Sequence, residues 1–248
     1  MMNLWGYPLL VVWTLLGSIL AFPGFVIWRL LLRWPLPKIM RHFVWIYGRG
    51  CIYLFRPFIH LKFSNWHRDM LPCPGILVIN HCSFFDTYLL AMLPDYDAHV
   101  SLRSWPFKML WYAFFMRLAG YFDWEHSPWD EILAGAKQVM DKGRYLMVFP
   151  EGHRSRSGKL RRFYSGAFKL AILLDVPIIP LCIAGTHTLL PPGRLWFKPA
   201  RIHMQLLPPV YPNEGASESA HRDLCKRVRK QMNEAIEKME NNAAIANT

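Results

Sequence analysis

The sequence predicts an α/β fold: a mixed, largely parallel sheet flanked by helices, with an apolar and basic helical membrane anchor at the N-terminus. Short apolar runs alternate with stretches of helical periodicity from residue 75 onward, which is the pattern of layered strands and helices. Polar loops follow several of these runs, where open sheets usually bind ligands. The first 28 residues contain no charged side chain, which sets them apart from the rest.

The N-terminal segment is long and apolar enough to cross a membrane. Leu4 to Trp28 would extend about 37 Å as a helix, which exceeds the thickness of a bilayer core. A cleaved signal peptide is disfavoured, because no basic residue precedes the run and no Ala-x-Ala-like site follows it. Pro23-Gly24 could kink the helix or turn it into a re-entrant hairpin. A spanning helix and a re-entrant one therefore both stay open.

Basic side chains follow the apolar run directly. Eight Lys and Arg residues and no acidic residue precede Asp69, so +8 of the formal net charge of +12 lies in the first 68 residues. A basic segment beside an apolar one indicates contact with anionic headgroups. Aromatic and aliphatic residues interleave the cations, which favours an interfacial helix over nucleic-acid binding. We expect the inner (cytoplasmic) membrane, with the remainder of the chain on the cytoplasmic side.

The chain divides into three predicted parts. Residues 1–68 form the membrane anchor and interfacial basic helix, 69–240 the globular domain, and 241–248 a flexible tail. Pro72-Cys73-Pro74-Gly75 marks the entry to the domain. Five cysteines without any Cys-x-x-Cys spacing indicate neither a disulfide framework nor a zinc site, so no metal is expected and a reducing compartment fits.

Within the domain, apolar runs and helical periodicity place ten elements. The predicted strands are 76–79, 98–103, 145–149, 178–184 and 202–207. The predicted helices are 84–92, 107–118, 131–141, 166–174 and 220–240. The last helix is amphipathic and closes the domain. Pro177 and Pro180 flank Ile178-Ile179, so this strand is expected at an edge or with a bulge.

His81 and Asp86 are the candidate catalytic pair. His81 follows the buried run 76–79, and Asp86 lies in the first turns of the next helix. A carboxylate bonded to one imidazole nitrogen fixes the tautomer and leaves the other nitrogen able to take a proton from a hydroxyl. A helix-capping His beside an unrelated surface Asp gives the same spacing, so the pair alone is weak evidence.

Three ordered blocks and a fourth, degenerate one strengthen this hypothesis. Residues 80–86 (Asn-His-Cys-Ser-Phe-Phe-Asp) resemble the first motif of the glycerolipid acyltransferases, the family of 1-acylglycerol-3-phosphate acyltransferases. Residues 149–155 resemble its Phe-Pro-Glu-Gly-Thr-Arg-Ser block, and 176–180 its Val-Pro-Ile-x-Pro block. Residues 120–126 are a degenerate match to its Gly-x-x-x-x-Asp-Arg block. The resemblance extends from about Gly75 to Pro209.

The resemblance implies an enzyme that moves a fatty acyl group from acyl-CoA or acyl carrier protein to the hydroxyl of a lysophospholipid. These carriers are co-substrates, no other cofactor is expected, and membrane lipids are the partners. His81 would be the general base and Asp86 its orienting group. The residues assigned to substrate binding are Glu151, Gly152, Arg154, Gly120, Glu125, His126, Pro177 and Pro180. For the two prolines a structural role is preferred, and an ion pair between Glu151 and Arg154 is an alternative.

The chain departs from the family pattern at cationic positions. His126 stands where the second block has Arg, Glu125 stands where Asp is usual, and Tyr164-Ser165 replaces a frequent Lys before Gly166. A histidine is a weak phosphate ligand at neutral pH, so a neutral or zwitterionic headgroup is favoured over lysophosphatidic acid. A catalytically silent lipid-binding or scaffold protein and a thioester hydrolase stay open. Covalent catalysis by Ser83 or Cys82 is disfavoured, because the chain has no Gly-x-Ser-x-Gly elbow.

Overall fold

The computed structural model of the protein describes residues 2–94, 97–102, 110–212 and 219–245. The α-helices in these ranges are α1 (Met2–Val26), α2 (Leu36–Phe55), α3 (Asp86–Leu89), α4 (Leu110–Leu118), α5 (Trp129–Asp141), α6 (Gly166–Leu173), α7 (Thr186–Leu189) and α8 (Ala220–Ile245). The strands are β1 (Ile59–Ser64), β2 (Gly75–Ile79), β3 (His99–Leu102), β4 (Phe122–Asp123), β5 (Tyr145–Val148), β6 (Ile178–Ala184) and β7 (Ala200–Leu206).

The described strands form one mixed, largely parallel sheet in the order β1-β7-β6-β2-β5-β3-β4. Strands β6, β2, β5, β3 and β4 run in the same direction, whereas β7 is antiparallel to β6 and parallel to β1. The predicted α/β fold class is therefore confirmed. Because five neighbouring strands are parallel, their carboxyl ends lie along one edge of the sheet, where open α/β sheets bind ligands.

Helices cover both faces of the sheet. Ile76 and Val78 of β2 pack on one face against α5, α6 and α8. Leu77 and Ile79 point to the opposite face, where they pack against α2, α3 and the first residues of α1. All five residues of β2 and all seven of β6 are buried. Burial on both faces explains why these strands appear as continuous apolar runs in the sequence.

Helices α1 and α2 form an antiparallel hairpin on the sheet face that carries Leu77 and Ile79. Asn3 exchanges two hydrogen bonds with the backbone of Phe197, at 2.9 and 2.6 Å. Further along, Trp13 Nε1 donates to the carbonyl of Tyr47 at 3.2 Å, and Gly24 lies against Phe43. The helix runs unbroken through Pro23-Gly24, and the chain reverses after a π-helical turn at Ile27–Leu31. Both ends of α1 therefore lie against the rest of the protein.

The outer surface of α1 is apolar and exposed. Leu4, Leu20 and Phe22 leave 64–78% of their area accessible. Met2–Leu31 is long and apolar enough to cross a membrane by length and composition alone, and none of its most apolar window is buried. An exposed apolar surface of this length suggests association with a membrane.

Several elements differ from the sequence prediction. Ile59–Ser64, read as part of the basic segment, is a strand that pairs with β7, so the sheet extends to the N-terminal side of residue 68. Its polar side chains alternate with apolar ones because it is the edge strand. Residues 84–92 form one α-turn followed by a 3₁₀ turn, since Asp86 bonds the preceding backbone. Helix α8 continues to Ile245, past the predicted start of the tail. Residues 103 and 107–109 lie outside the described ranges.

Strand β6 is central, not an edge strand as one of the two expectations had it. It lies between β7 and β2, and Pro180 sits opposite Val78. A bulge lies beside it, but the extra residue belongs to the partner segment 207–209 and not to β6. The pairing with the β7 segment shifts by one residue between Leu181↔Leu206 and Ile178↔Val210. This shift accommodates the missing backbone N–H of Pro180 within the sheet.

Candidate active site

His81 lies just beyond the carboxyl end of β2. Its Nδ1 bonds to Asp86 Oδ2 at 2.9 Å. The imidazole is 16% exposed and its ring stacks on Phe149, with the ring centroids 4.2 Å apart. Nε2 makes no hydrogen bond with any residue that the structure describes. Since a carboxylate accepts the Nδ1 proton, Nε2 is the nitrogen available to take a proton from a ligand.

Asp86 is fixed by the backbone that precedes it. Its Oδ2 atom accepts hydrogen bonds from the backbone N–H of Cys82 at 2.7 Å and of Ser83 at 2.8 Å, besides that from His81. The side chain is 1% exposed. These bonds close the short loop between β2 and α3, and this is why Asp86 begins α3. The carboxylate therefore has one orientation, which in turn fixes the imidazole plane.

Glu151 joins the loops that follow β2 and β5. Its Oε1 accepts from the backbone N–H of His81, and its Oε2 from that of Arg161, both at 2.8 Å. The backbone N–H of Ser155 donates to the carbonyl of His81 at 2.7 Å and completes the connection. Burial raises the pKa of Glu151, although the two N–H donors oppose this effect. Both oxygens accept from backbone N–H groups, so Glu151 holds the backbone at His81 in place, and its assignment to substrate binding stays a prediction.

Asn80 connects β2 to the end of β6. Its amide accepts from the N–H of Ile183 at 2.7 Å and donates to the carbonyl of the same residue at 2.8 Å. These two bonds extend the ladder beyond the last regular pair of the strands. The sequence interpretation quoted Asn80 and Phe149 within the motifs but assigned neither a role. Contacts this far apart in the chain leave no local signal in a single sequence.

The two candidate nucleophiles beside His81 are engaged in structural contacts. Ser83 is buried, and its Oγ donates to the carbonyl of Leu190 at 2.7 Å while accepting from the N–H of Phe85 at 3.1 Å. Burial raises the pKa of the Cys82 thiol, and the nearby carboxylates of Asp86 and Glu151 add to this effect. A buried thiol of this kind is a poor nucleophile. The geometry therefore favours direct transfer over a covalent intermediate.

Gly152 and Arg154 follow the carboxyl end of β5, close to His81. Gly152 has a φ of +67°, and an added Cβ would lie 3.0 Å from the ring of Tyr164, so glycine is required there. Arg154 is half-buried and forms no hydrogen bond or ion pair with a described residue, Glu151 included. Its guanidinium is therefore available for an anionic ligand such as a phosphate.

The predicted residues of the second block lie farther away. Gly120, with a φ of +70°, ends α4 in a Schellman motif and contacts Arg41 of α2, which is a structural role. Glu125 and His126 are exposed, and their backbone N–H groups bond to Asp123 Oδ1 at 3.1 and 3.4 Å. Both residues follow β4. This strand lies three strand spacings from β2, which is about 14 Å along the same edge of the sheet.

Pro177 and Pro180 do not lie at the sheet edge that carries His81. The carbonyl of Pro177 accepts from the N–H of Ile76 at 2.9 Å, at the opposite end of β2. That end is about 16 Å from His81 along the strand. Pro180 is buried in the middle of the sheet, with its carbonyl bonded to the N–H of Leu207 at 3.0 Å. Both prolines shape β6, in agreement with the structural role preferred from the sequence.

Among the described residues, no group of three or more His, Cys, Asp or Glu side chains could hold a metal ion. None of the five cysteines, all of which lie in the described ranges, forms a disulfide, and four of them are buried. The His81–Asp86 arrangement can move a proton, and the loop with Gly152 and Arg154 lies beside it.

Comparison with known proteins agrees with the geometry. Residues 65–184 match the family model described as Acyltransferase. A 1-acyl-sn-glycerol-3-phosphate acyltransferase from Cocos nucifera is 25% identical over 209 residues, or 78% of this chain and 65% of the relative. One from Saccharomyces cerevisiae is 29% identical over 185 residues, 71% of this chain and 59% of the relative. The chain thus spans about three fifths to two thirds of the length of these two relatives.

A solved structure shares the fold. The 1-acyl-sn-glycerophosphate (LPA) acyltransferase PlsC from Thermotoga maritima superposes with a TM-score of 0.73, covering 96% of this chain and 98% of that one at 23% identity. The sequence blocks, the sheet and the family model therefore agree, and the matched region contains His81, Asp86 and Glu151. Residues 65–184, just under half of the chain, are thus similar to acyltransferases, and the chain shares the fold of the solved structure.

Proposed function

We propose that the protein is a membrane-bound O-acyltransferase that moves a fatty acyl group from a thioester, acyl-CoA or acyl carrier protein, to the hydroxyl of a lysophospholipid. The observation on which this depends is the His81–Asp86 pair, because its free Nε2 is suited to deprotonate a hydroxyl. Relatives named 1-acyl-sn-glycerol-3-phosphate acyltransferases support the same reaction class.

In the proposed mechanism His81 Nε2 accepts the proton of the acceptor hydroxyl as its oxygen attacks the thioester carbonyl. A C–O bond forms and the carbonyl becomes a tetrahedral oxyanion. Collapse of this intermediate breaks the C–S bond, and the proton held on His81 passes to the departing thiolate. Asp86 accepts the Nδ1 proton throughout and stabilises the imidazolium. A positioned base of this kind contributes about 10²–10⁴ in rate.

The acceptor we propose is 1-acylglycerol-3-phosphate or a related lyso-lipid. Arg154 lies in the loop after β5, which bonds to His81 through the neighbouring Ser155. It has no partner among the described residues, so it can provide the cation that a phosphate monoester needs. His126 lies 3.8 Å from Asp123 Oδ2 and is 63% exposed, which makes it a secondary contributor at most. The names of the relatives favour lysophosphatidic acid over the neutral headgroup that the departures from the family pattern suggest.

The exposed apolar surface of α1 supports the membrane-bound part of the proposal. It would place the catalytic edge beside the bilayer from which a lyso-lipid must be taken. We propose the cytoplasmic face of the inner membrane, because the Lys and Arg residues that follow the apolar run favour that side.

The test is an assay of the purified full-length protein in detergent, with labelled acyl-CoA or acyl carrier protein and a panel of lyso-lipids. We expect labelled phosphatidic acid or another diacyl lipid. Release of free fatty acid without an acceptor would instead identify a thioester hydrolase. A folded protein that transfers nothing to any lyso-lipid would favour a silent lipid-binding or scaffold protein.

A further inference from the structure

An open groove lies between helix α8 and the segment 162–165. Its volume is about 720 Å³, within the usual range for ligand pockets. Its lining is strongly basic, with Glu234 as the acidic side chain in the wall. Five cations line it, and all of them are exposed: Arg162, Arg222, Lys226, Arg229 and Lys230. The groove plays no part in the proton transfer assigned to His81.

The cations of α8 point into the groove together. Residues 222, 226, 229 and 230 follow the spacing i, i+4, i+7, i+8, which puts them on one face of the helix. Lys226 lies 3.5 Å from Asp223, a loose and exposed contact. Arg222 and Lys230 form no ion pair with a carboxylate of any described residue. The wall therefore carries an excess of positive charge that a polyanion would neutralise.

The groove adjoins the catalytic loop. Tyr164 lines one end of it, and its ring lies against Gly152. Arg229 Nε donates to the carbonyl of Arg161 at 3.1 Å, while the N–H of Arg161 donates to Glu151. Glu151 in turn accepts from the N–H of His81. A ligand in the groove would thus have one end close to the loop that positions the base.

The groove lies on the side of the sheet away from the apolar helix. Helix α8 packs with α5 and α6 on one face, whereas α1 and α2 pack on the other. A lipid headgroup held by a membrane-attached protein would be expected near α1. A basic groove on the opposite face instead suits an anion that arrives from the aqueous phase.

From these observations we infer that the groove binds the phosphate groups of the nucleotide portion of a coenzyme A thioester. The inference rests on the proposed acyl transfer and selects the donor. Arginine and lysine side chains suit diphosphate and ribose phosphate groups. The long pantetheine arm would then carry the thioester past Tyr164 and Gly152 toward His81. Acyl carrier protein lacks the nucleotide, so it could use the groove cations only through a protein–protein contact.

The experiment compares octanoyl-CoA with octanoyl-pantetheine as donors for the detergent-solubilised full-length protein. We expect the KM for the CoA thioester to be about tenfold lower, equivalent to about one charge-assisted contact. Arg222→Glu and Lys230→Glu should each raise the KM for octanoyl-CoA about threefold or more and leave that for octanoyl-pantetheine unchanged. Neither side chain bonds to a described residue, so both variants should fold. Lys238→Glu, an exposed position of α8 outside the groove, is the matched control.

Direct binding separates this inference from the proposed function. Adenosine 3′,5′-bisphosphate should bind the wild type in calorimetry, and the two groove substitutions should weaken it while Lys238→Glu does not. That result would support phosphate binding in the groove even if no thioester reacted. In that case only the proposed acyl transfer would fail.

Three results would overturn the inference. The first is an equal KM for the two donors, unaffected by the substitutions. The second is a raised KM for acyl carrier protein with that for octanoyl-CoA unchanged, which would make a protein carrier the occupant. The third is weaker binding to phosphatidylglycerol vesicles with an unchanged KM for octanoyl-CoA, which would make lipid headgroups the occupant.

Discussion

At the scale of single residues, one oxygen atom organises the candidate catalytic pair. Asp86 Oδ2 accepts from His81 Nδ1 and from two backbone N–H groups, so the same carboxylate that orients the base also shapes the loop that presents it. Glu151 does the equivalent work from the other side, by accepting from the backbone N–H of His81. His81 is held both by its ring and by its backbone, and this gives the rigidity that a general base needs.

The first prediction concerns Asp86→Asn. The amide can present its NH₂ group to His81 and stabilise the tautomer with the proton on the wrong nitrogen. We expect turnover to fall by about 10²-fold or more, as when the orienting carboxylate of a catalytic His is replaced. Initial rates with saturating donor and acceptor measure the effect, and the thermal unfolding midpoint serves as control. A turnover within a few-fold of wild type would show that Asp86 has only a structural role.

The second prediction concerns His99, which is 8% exposed. Burial lowers its pKa to about 3, with added repulsion from Arg41, Arg144 and Lys142. Between the unfolded pKa near 6.5 and about pH 3 the unfolded state binds the extra proton, so stability falls as the pH decreases through this window, by at most about 1.4 kcal/mol per pH unit.

Unfolding of wild type and His99→Gln from pH 7.5 to 4.5 measures this dependence. The wild type should lose stability relative to His99→Gln below pH 6.5, because the variant has no titrating group there. Parallel stability curves for the two proteins would contradict the assignment.

At the scale of elements, a buried ion-pair network attaches α2 to the sheet. Arg41 of α2 bonds to Asp97 at 2.6–2.7 Å and to the carbonyl of Ala119 at 2.7 Å, and Arg144 pairs with the same carboxylate. Arg41 is 4% exposed. The network joins the N-terminal hairpin to the loops before β3 and β5, so the apolar hairpin and the catalytic domain form one packed unit.

The third prediction follows from that network. Asp97→Ala leaves the guanidinium of Arg41 buried without its carboxylate, which should cost about 3–5 kcal/mol of unfolding free energy. Denaturant unfolding in detergent measures the loss. As control, Lys137→Ala removes the exposed pair with Asp141 and should change stability by less than about 1 kcal/mol. Equal effects of the two substitutions would mean that the buried network is not what stabilises the hairpin.

The fourth prediction concerns the outer face of α1. Leu16 and Ile19 are 49% and 66% exposed, and lysines there would face lipid without disturbing the contacts with α2. Wild type should leave membranes only with detergent, whereas Leu16→Lys/Ile19→Lys should be extracted by high salt. Sedimentation of washed membranes measures the distribution. Wild-type protein that is soluble without detergent would rule out attachment through this face.

The elements recovered from the sequence are those whose burial is uniform. Both limits of strand β6 agree with the prediction because the strand is a continuous apolar run. Helix α8 is predictable because one of its faces is regularly apolar. Strand β1 was missed because an edge strand with Lys62 and His60 resembles a basic surface segment. Its identity depends on pairing with β7, which lies about 140 residues away along the chain.

The candidate site was predictable only where its contacts are local. His81 and Asp86 are five residues apart, so their spacing alone suggested the bond that the structure contains. The positioning role of Glu151 depends on contacts across 70 residues, and that of Asn80 on contacts across 103. Neither is encoded in a local pattern, and only the resemblance singled out Glu151, as a substrate-binding residue.

At the scale of the whole molecule, the two faces of the sheet have different tasks. One face holds the apolar hairpin that would contact the bilayer, and the other holds the basic groove beside α8. The catalytic pair lies at the sheet edge between them. This arrangement would allow a lipid acceptor and a water-soluble donor to reach His81 from opposite sides.

The central claim is that His81 is the general base of an acyl transfer, and His81→Ala tests it most directly. Transfer of labelled acyl groups from acyl-CoA to lysophosphatidic acid is measured for wild type and variant in the same detergent, with thermal unfolding to verify the fold. We predict that turnover falls about 100-fold or more while the unfolding midpoint changes little. A folded His81→Ala protein that transfers acyl groups at a rate close to wild type would contradict the mechanism.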